Sequence, residues 1–378
     1  MKYPIGIQDF EDLQRNGYAY VDKTNFVYKL ADEGKYYFLS RPRRFGKSLF
    51  LSTLEAYFQG KKELFKGLAI YDLETEWKKY PIFHIDLNTA NFREKDSLYT
   101  VLNDYLTSWE DKYGARESEA TLALRFKGVI ARAAEKEGCG VVILIDEYDK
   151  PILQTLRDPE LQAEHRAQLK AFYSVLKTQD RYIKFAFLTG VTKFGKVSVF
   201  SDLNNLTDIS MDHRYISICG MTEKELLTNF KEGIGELASA NEDNETETID
   251  KLRMRYSGYH FEENSEEIYN PFSVLNTLAN SRYDDYWFKA DTHTFLIDIL
   301  KKHDYCITDL NKTQVKANMM NNVDFNPIPV IYQSGYLTIK SYDERFKNYQ
   351  LGIPNKEVEE GILNTLLPHG CKTAEMDC

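Results

Sequence analysis

A chain of 378 residues with 43% hydrophobic and 28% charged residues has the length for two or three domains and a globular composition, which excludes a disordered or fibrous protein. A formal net charge of −10 argues against a general nucleic-acid coat and still allows a local basic site. The five cysteines are scattered, with no CxxC and no Cys/His pair at metal spacing, and the sequence shows neither a signal-peptide core nor an apolar run of membrane-spanning length. A cytoplasmic protein with reduced thiols and no membrane partner is the expectation.

Residues 1–35 carry Tyr3-Pro4-Ile5-Gly6-Ile7-Gln8-Asp9-Phe10 and then Tyr18-Ala19-Tyr20-Val21-Asp22-Lys23-Thr24. The second piece predicts a short extended segment and a helix to about residue 32, capped by Asp22 or Thr24. An apolar run of strand length, 36–39, then breaks at Ser40-Arg41-Pro42-Arg43-Arg44-Phe45 and passes through Gly46-Lys47-Ser48 into an amphipathic helix over 49–58. Strand, loop and helix in that order form the setting a phosphate-binding loop requires. Backbone N–H groups at a helix N-terminus favour anions, and Gly46 lets the chain approach a phosphate closely. Lys47 can reach the β- and γ-phosphates, and the Ser48 hydroxyl can ligate Mg²⁺. The first glycine of the full pattern is replaced by Arg41, which has less backbone freedom. Arg41, Arg43 and Arg44 offset this with charge for a triphosphate. An exposed basic turn before an ordinary helix is the competing reading. The N-terminal piece is open too, either lying near the base of a nucleotide or packing on the sheet edge.

The apolar run 81–87 reads as a strand, with His84 packed inside it rather than ligating a metal. Helical patterns follow near 97–112 and 118–136. Five consecutive β-branched or leucine residues at 141–145 mark a strand buried on both faces, as in a parallel sheet, and it ends in Asp146-Glu147. At such a strand end an Asp holds Mg²⁺, and an adjacent Glu can polarise the attacking water as a general base. Carboxylates that merely mark a turn are the weaker reading. After a helix over 160–177, the apolar run 182–188 ends in Thr189-Gly190-Val191-Thr192-Lys193-Phe194. Thr189 or Thr192 could contact the γ-phosphate or the lytic water, or could be ordinary turn hydroxyls. A last short strand is read at 215–218, before Gly220 and the helix starter Thr222-Glu223-Lys224-Glu225.

Strands alternating with helices predict an α/β fold of P-loop NTPase type: a parallel sheet of about five strands with helices on both faces. Such a sheet would bring Lys47, Asp146 and Thr189 to one rim. The strand intervening before Asp146-Glu147 suits the P-loop branch that uses an additional catalytic glutamate. Beyond Gly220 the pattern turns helical. An acidic solvated loop is read at 241–247, a helix start at Asn270-Pro271, another at Asp291, and a helix end, Gly335 and a strand within 330–339. These predict a smaller, mostly helical lid domain, for which a winged-helix-like form is one option. The expected division is an ATPase domain over 1–220, the lid over 221–348, and a remainder over 349–378 with a disordered tail.

The segments Ile7-Gln8-Asp9-Phe10, Tyr20-Val21-Asp22-Lys23-Thr24, Ser40-Arg41-Pro42-Arg43-Arg44-Phe45-Gly46-Lys47-Ser48, Asp146-Glu147-Tyr148-Asp149-Lys150-Pro151 and Thr189-Gly190-Val191-Thr192-Lys193-Phe194 closely resemble the predicted AAA-ATPase-like family. The likeness continues through Tyr269-Asn270-Pro271-Phe272-Ser273 and Tyr332-Gln333-Ser334-Gly335-Tyr336-Leu337, to about residue 367. It implies that Arg41 in place of glycine is normal. Members typically carry a C-terminal PD-(D/E)XK nuclease-like domain that begins about where Leu351-Gly352-Ile353-Pro354-Asn355 stands, so the resemblance implies an ATPase with its nuclease missing. The candidate nucleotide-binding stretch is Arg41, Pro42, Arg43, Arg44, Phe45, Gly46, Lys47, Ser48 and Leu49. Ser48 and Asp146 are the metal candidates, and Glu147, Lys47, Thr189, Thr192 and Arg44 the catalytic ones. Mg²⁺-dependent ATP hydrolysis competes with a nucleotide-gated module of little turnover. A homo-oligomer with arginine fingers, a partner nuclease, and DNA at the lid are further expectations.

Overall fold

The computed structural model describes residues 1–193, 205–289, 310–320 and 327–366. Phe194, the helix read at Asp291, Cys306 and the tail with Cys371 and Cys378 lie outside the described residues.

Five strands form an all-parallel sheet: β1 (Tyr36–Ser40), β2 (Ile82–Asp86), β3 (Val141–Asp146), β4 (Ile183–Gly190) and β5 (Thr207–Asp208), in the order β2-β3-β4-β1-β5. Their connections are helical: α1 (Phe10–Arg15) and α2 (Thr24–Glu33) precede β1, α3 (Lys47–Phe58) and α4 (Ala69–Leu73) follow it, α5 (Ser97–Tyr113) and α6 (Leu122–Glu137) lead to β3, and α7 (Lys150–Gln154) and α8 (Pro159–Thr178) lead to β4. The apolar run of β3 has a physical cause. Val141, Ile143 and Ile145 enter a core with residues of α5, α6 and α8, while Val142 and Leu144 enter a second core with Phe50, Leu51 and Leu54 of α3. Both faces are covered, so every position must be apolar. Because the strands are parallel, the carboxyl ends of β1, β3 and β4 share one rim, where such sheets bind ligands.

Local signals set the helix starts. The cap position of α2 is Lys23, not Asp22 or Thr24, and its side chain makes no capping bond; Asp22, one residue earlier, accepts the first N–H of α2 (Thr24, 2.8 Å) and, with its other oxygen, the first N–H of α4 (Ala69, 2.7 Å). His84 lies against α3, with Nδ1 2.7 Å from Glu55 Oε2. Burial lowers the basicity of this imidazole, but the Glu55 hydrogen bond and charge outweigh it and the net shift is upward.

Two sequence readings need correction. The stretch read as a strand at 215–218 is part of a 3₁₀ turn, His213–Ile218. The fifth strand is Thr207–Asp208, paired with Tyr37 and Phe38. The apolar residues at 215–218 are buried, but the carbonyls of Tyr215 and Ile216 accept from the Arg41 guanidinium instead of from a neighbouring strand. The acidic loop read at 241–247 ends early. Asn244 caps a helix, with its side chain on the Glu247 N–H and the Glu247 carboxylate returned to the Asn244 N–H.

The remaining chain is mostly helical with small antiparallel sheets. It contains β6 (Met221–Thr222), α9 (Glu223–Asn229), α10 (Lys231–Ala240), α11 (Glu245–Tyr256), β7 (Ile268–Tyr269), α12 (Pro271–Asn280), α13 (Tyr286–Lys289), β8 (Gln314–Lys316), α14 (Pro327–Gln333), β9 (Thr338–Asp343), β10 (Asn348–Gly352) and α15 (Lys356–Leu366). β6 pairs with β7, and β10 lies between β8 and β9. Helices α9 to α12 share a third core around Leu226, Phe230, Leu252 and Val274. The buried Glu357 of α15 accepts from the Ser273 hydroxyl of α12 and the Trp287 N–H of α13, which ties the last helix to the two before it.

Candidate functional site: the rim of the parallel sheet

Past Ser40 the chain must turn from strand to helix within six residues. Arg44 (φ 67°) and Gly46 (φ 95°) both take the left-handed region, and α3 opens at Lys47. Glycine enters that region at no cost, whereas Arg44 bears strain there, as residues at binding loops often do. The Arg44 guanidinium lies over the Phe272 ring at 4.4 Å from its centroid.

The end of β3 is shaped in a similar way. Glu147 is left-handed (φ 51°) and donates its N–H to Asp146 Oδ1 at 3.0 Å. The Thr189 hydroxyl of β4 donates to the same Asp146 oxygen. Lys47 bridges the two loops. Its buried ammonium donates to the carbonyls of Arg41 (3.1 Å) and Pro42 (3.3 Å) and pairs with Glu147 Oε1 at 3.1 Å. Asp149 lies one turn beyond, fully buried, and accepts from the N–H groups of Val191 and Thr192 and from the Thr192 hydroxyl at 2.7 Å. Burial, and then the Glu147 charge, push its carboxyl up to about 6.

Above these groups opens a cavity of about 570 Å³, within the range of small-molecule sites. Its charged lining is five cations (Arg43, Arg44, Lys47, Arg93 and Lys150) and one carboxylate (Glu147), a local excess of positive charge in a chain of net −10. That contrast, with the N-terminus of α3 at the wall, favours anions over cations in the cavity. Part of the wall is apolar and aromatic, from Ile5, Ile7, Leu49, Phe272, Trp287 and Tyr336.

The structure separates the candidate residues into three groups. Arg43, Arg44, Gly46, Lys47, Ser48, Leu49 and Glu147 line the cavity. Asp146, Thr189 and Thr192 lie buried close to it, bonded as described. Arg41, Pro42 and Phe45 are not on the wall. Arg41 is 1% exposed and spends its terminal nitrogens on the carbonyls of Ser40, Ser210, Tyr215 and Ile216, with its guanidinium 4.0 Å from the Phe261 ring centroid. Burial draws its pKa down to about 10. In place of a flexible glycine, then, the loop entry has an internal strut. Phe45 packs edge-on against Tyr259 and Phe261.

Sequence reasoning missed the far walls. Lys150, held by the Asn88 carbonyl (2.7 Å) and side-chain oxygen (2.9 Å), follows the Asp-Glu pair closely enough to have been considered. Arg93, Phe272 and Trp287 carry no local signal, because only the fold brings their segments to this rim.

A parallel sheet with a Gly-Lys-Ser turn at its carboxyl rim, facing an acidic strand end, defines a P-loop-like α/β protein. The chain belongs to the family described as "Predicted AAA-ATPase", whose model matches residues 4–200. It is 38% identical over 372 residues to an uncharacterized protein in the vnfD 5′ region of Azotobacter chroococcum mcd 1, covering 97% of this chain and 70% of that protein. Membership in this family implies nucleotide binding. Among the described residues no helix is long and apolar enough to cross a membrane.

Proposed function

We propose that the chain binds ATP with Mg²⁺ at this rim and hydrolyses it. The observation that carries the reading is the Lys47–Glu147 contact at 3.1 Å, which joins the phosphate loop to the acidic strand end inside a cationic cavity. Phosphate oxygens are stronger partners for an ammonium than the Arg41 and Pro42 carbonyls, so a triphosphate draws Lys47 onto itself and frees the Glu147 carboxylate. Glu147 then takes a proton from water as the water oxygen bonds to the terminal phosphorus. The bond from that phosphorus to the bridging oxygen breaks, and ADP leaves with the electron pair.

The donor set suits Mg²⁺, since the Ser48 hydroxyl and the Asp146 carboxylate are hard oxygen ligands. No group of three or more His, Cys, Asp or Glu among the described residues could cage a metal, which fits an ion held by one carboxylate, phosphates and water. When bound, it neutralises phosphate charge. Thr189 orients Asp146, Thr192 is held by Asp149, and Arg43 and Arg44 supply cationic charge beside the phosphates.

The test is steady-state phosphate release with and without Mg²⁺. Wild type should turn over only with Mg²⁺. Lys47→Ala should lose nucleotide binding, and Glu147→Gln should keep binding and lose roughly a hundredfold or more in turnover. Phosphate release that survives either substitution rejects these roles. A second reading, a nucleotide-gated module of little turnover, draws support from the Trp287 indole N–H, which donates to the Arg43 carbonyl at 3.1 Å and so joins the phosphate loop to the helical region. Tight calorimetric binding without phosphate release would favour it. DNA or a nuclease as the downstream partner is examined by gel shift at low salt.

A further inference from the structure

Arg93 stands on the loop after β2, and the chain around it is fixed. The neighbouring Phe92 is fully buried, donates its N–H to Gln154 Oε1 of α7 at 2.8 Å, and has its carbonyl 3.0 Å from His165 Nε2 of α8. Five residues earlier, Asn88 is tied to Lys150. The Arg93 side chain, by contrast, forms no ion pair or hydrogen bond with any described residue, and only its backbone N–H is engaged, by Asn91 at 3.3 Å. It lines the same cavity as Lys47 and Glu147. In the sheet order β2-β3-β4-β1, β2 lies three strands from β1. Arg93 therefore enters from the β2 side and the phosphate loop from the β1 side, with Glu147, at the end of β3, between them.

A guanidinium on an anchored backbone with its five donors uncommitted is suited to grip a phosphoryl group from two directions. The geometry points to Arg93 as the residue that contacts the terminal phosphate of the bound nucleotide, from the wall across from the phosphate loop. This rests on the nucleotide reading above. Exposed arginines at loop tips are common and most do nothing specific. What sets this one apart is the combination of a pinned neighbour, uncommitted donors and a place on the cavity that Glu147 also lines. The consequence is discrimination: a diphosphate, lacking the terminal group, should not engage Arg93.

Calorimetry on the full chain with Mg²⁺ and either ADP or a non-hydrolysable ATP analogue tests this. Arg93→Ala should weaken analogue binding by roughly tenfold or more, as expected for loss of a charge-assisted hydrogen bond, and leave ADP binding within about threefold. Arg93→Lys should restore part of the analogue affinity, because the charge returns without the planar fork. If Arg93→Ala weakens both nucleotides equally, or neither, the role is overturned while the nucleotide reading stands. If wild type binds neither nucleotide, the nucleotide reading itself falls and Arg93's role with it. An unchanged circular dichroism spectrum and melting curve would show that the substitution leaves this exposed position folded.

Discussion

Glu357 has no exposed surface, yet its partners are neutral donors, the Ser273 hydroxyl and the Trp287 N–H. Burial, opposed by those hydrogen bonds and reinforced by Asp285, pushes its carboxyl up to about 8, with Arg255 pulling the other way. An acid that binds its proton more tightly folded than unfolded stabilises the fold most at low pH. Stability should therefore fall as pH rises from the ordinary carboxylate range to about 8. Asp149 acts with the same sign but only up to about 6, whereas His84, whose shift is also upward, loses its stabilisation above 6.5 with the same sign, so above 6.5 the Glu357→Gln variant is what separates Glu357 from His84. Urea denaturation should show Glu357 accounting for a loss of about 1–2 kcal/mol between pH 6.5 and 8, read as the difference between wild type and Glu357→Gln, which keeps only the His84 part. A wild-type curve that rises there would contradict the assignment. At this scale Lys47, Ser48 and Glu147 stood out in the sequence by residue type beside a turn, and the structure puts all three on the cavity wall. The inward course of Arg41 was not legible there: its partners are backbone carbonyls some 170 positions away, and carbonyls have no sequence signature.

Among elements, α12 carries the clearest dependence of site on local structure. Asn270 is fully buried and accepts the N–H groups of Phe272 and Ser273, and Pro271 occupies the first helical position. This cap fixes the turn that presents Phe272 under Arg44 and Ser273 to Glu357. Asn270→Ala should cost about 1–2 kcal/mol of stability in thermal denaturation and should also weaken nucleotide binding measured by calorimetry. Lost stability with unchanged affinity would uncouple α12 from the cavity. Elements whose ends carry chemical punctuation were readable, including β1, β3, α3, α9 and α12. The two-residue β5 was not, and 215–218 was mistaken for it, since alternating burial marks contact with a core whether or not the backbone pairs with a strand.

At the scale of the whole molecule, segments far apart in sequence meet around the cavity. Trp287 donates to the phosphate loop, Gln333 Oε1 of α14 accepts the Lys193 N–H at 2.8 Å, and the Pro42 ring lies where a side chain on Gly335 would clash. Of the three tryptophans, Trp77 packs against the α3-side core and Trp109 against the α5-side core, and Trp287 lines the cavity. Nucleotide should therefore change the intrinsic fluorescence, and Trp287→Phe should abolish that change while calorimetric binding persists. An undiminished change in the variant would place the nucleotide elsewhere.

The sequence by itself determined the parallel α/β sheet, the phosphate-type loop and the acidic strand end, because each is written in contiguous residues whose propensity and chemistry act over a few positions. Tertiary structure alone decided which arginines face the cavity, that Lys47 meets Glu147, and that Arg93, Phe272 and Trp287 stand on its walls. Those outcomes depend on which strand lies beside which and on which donors find buried carbonyls, and contacts between distant segments leave no mark in any local stretch of chain.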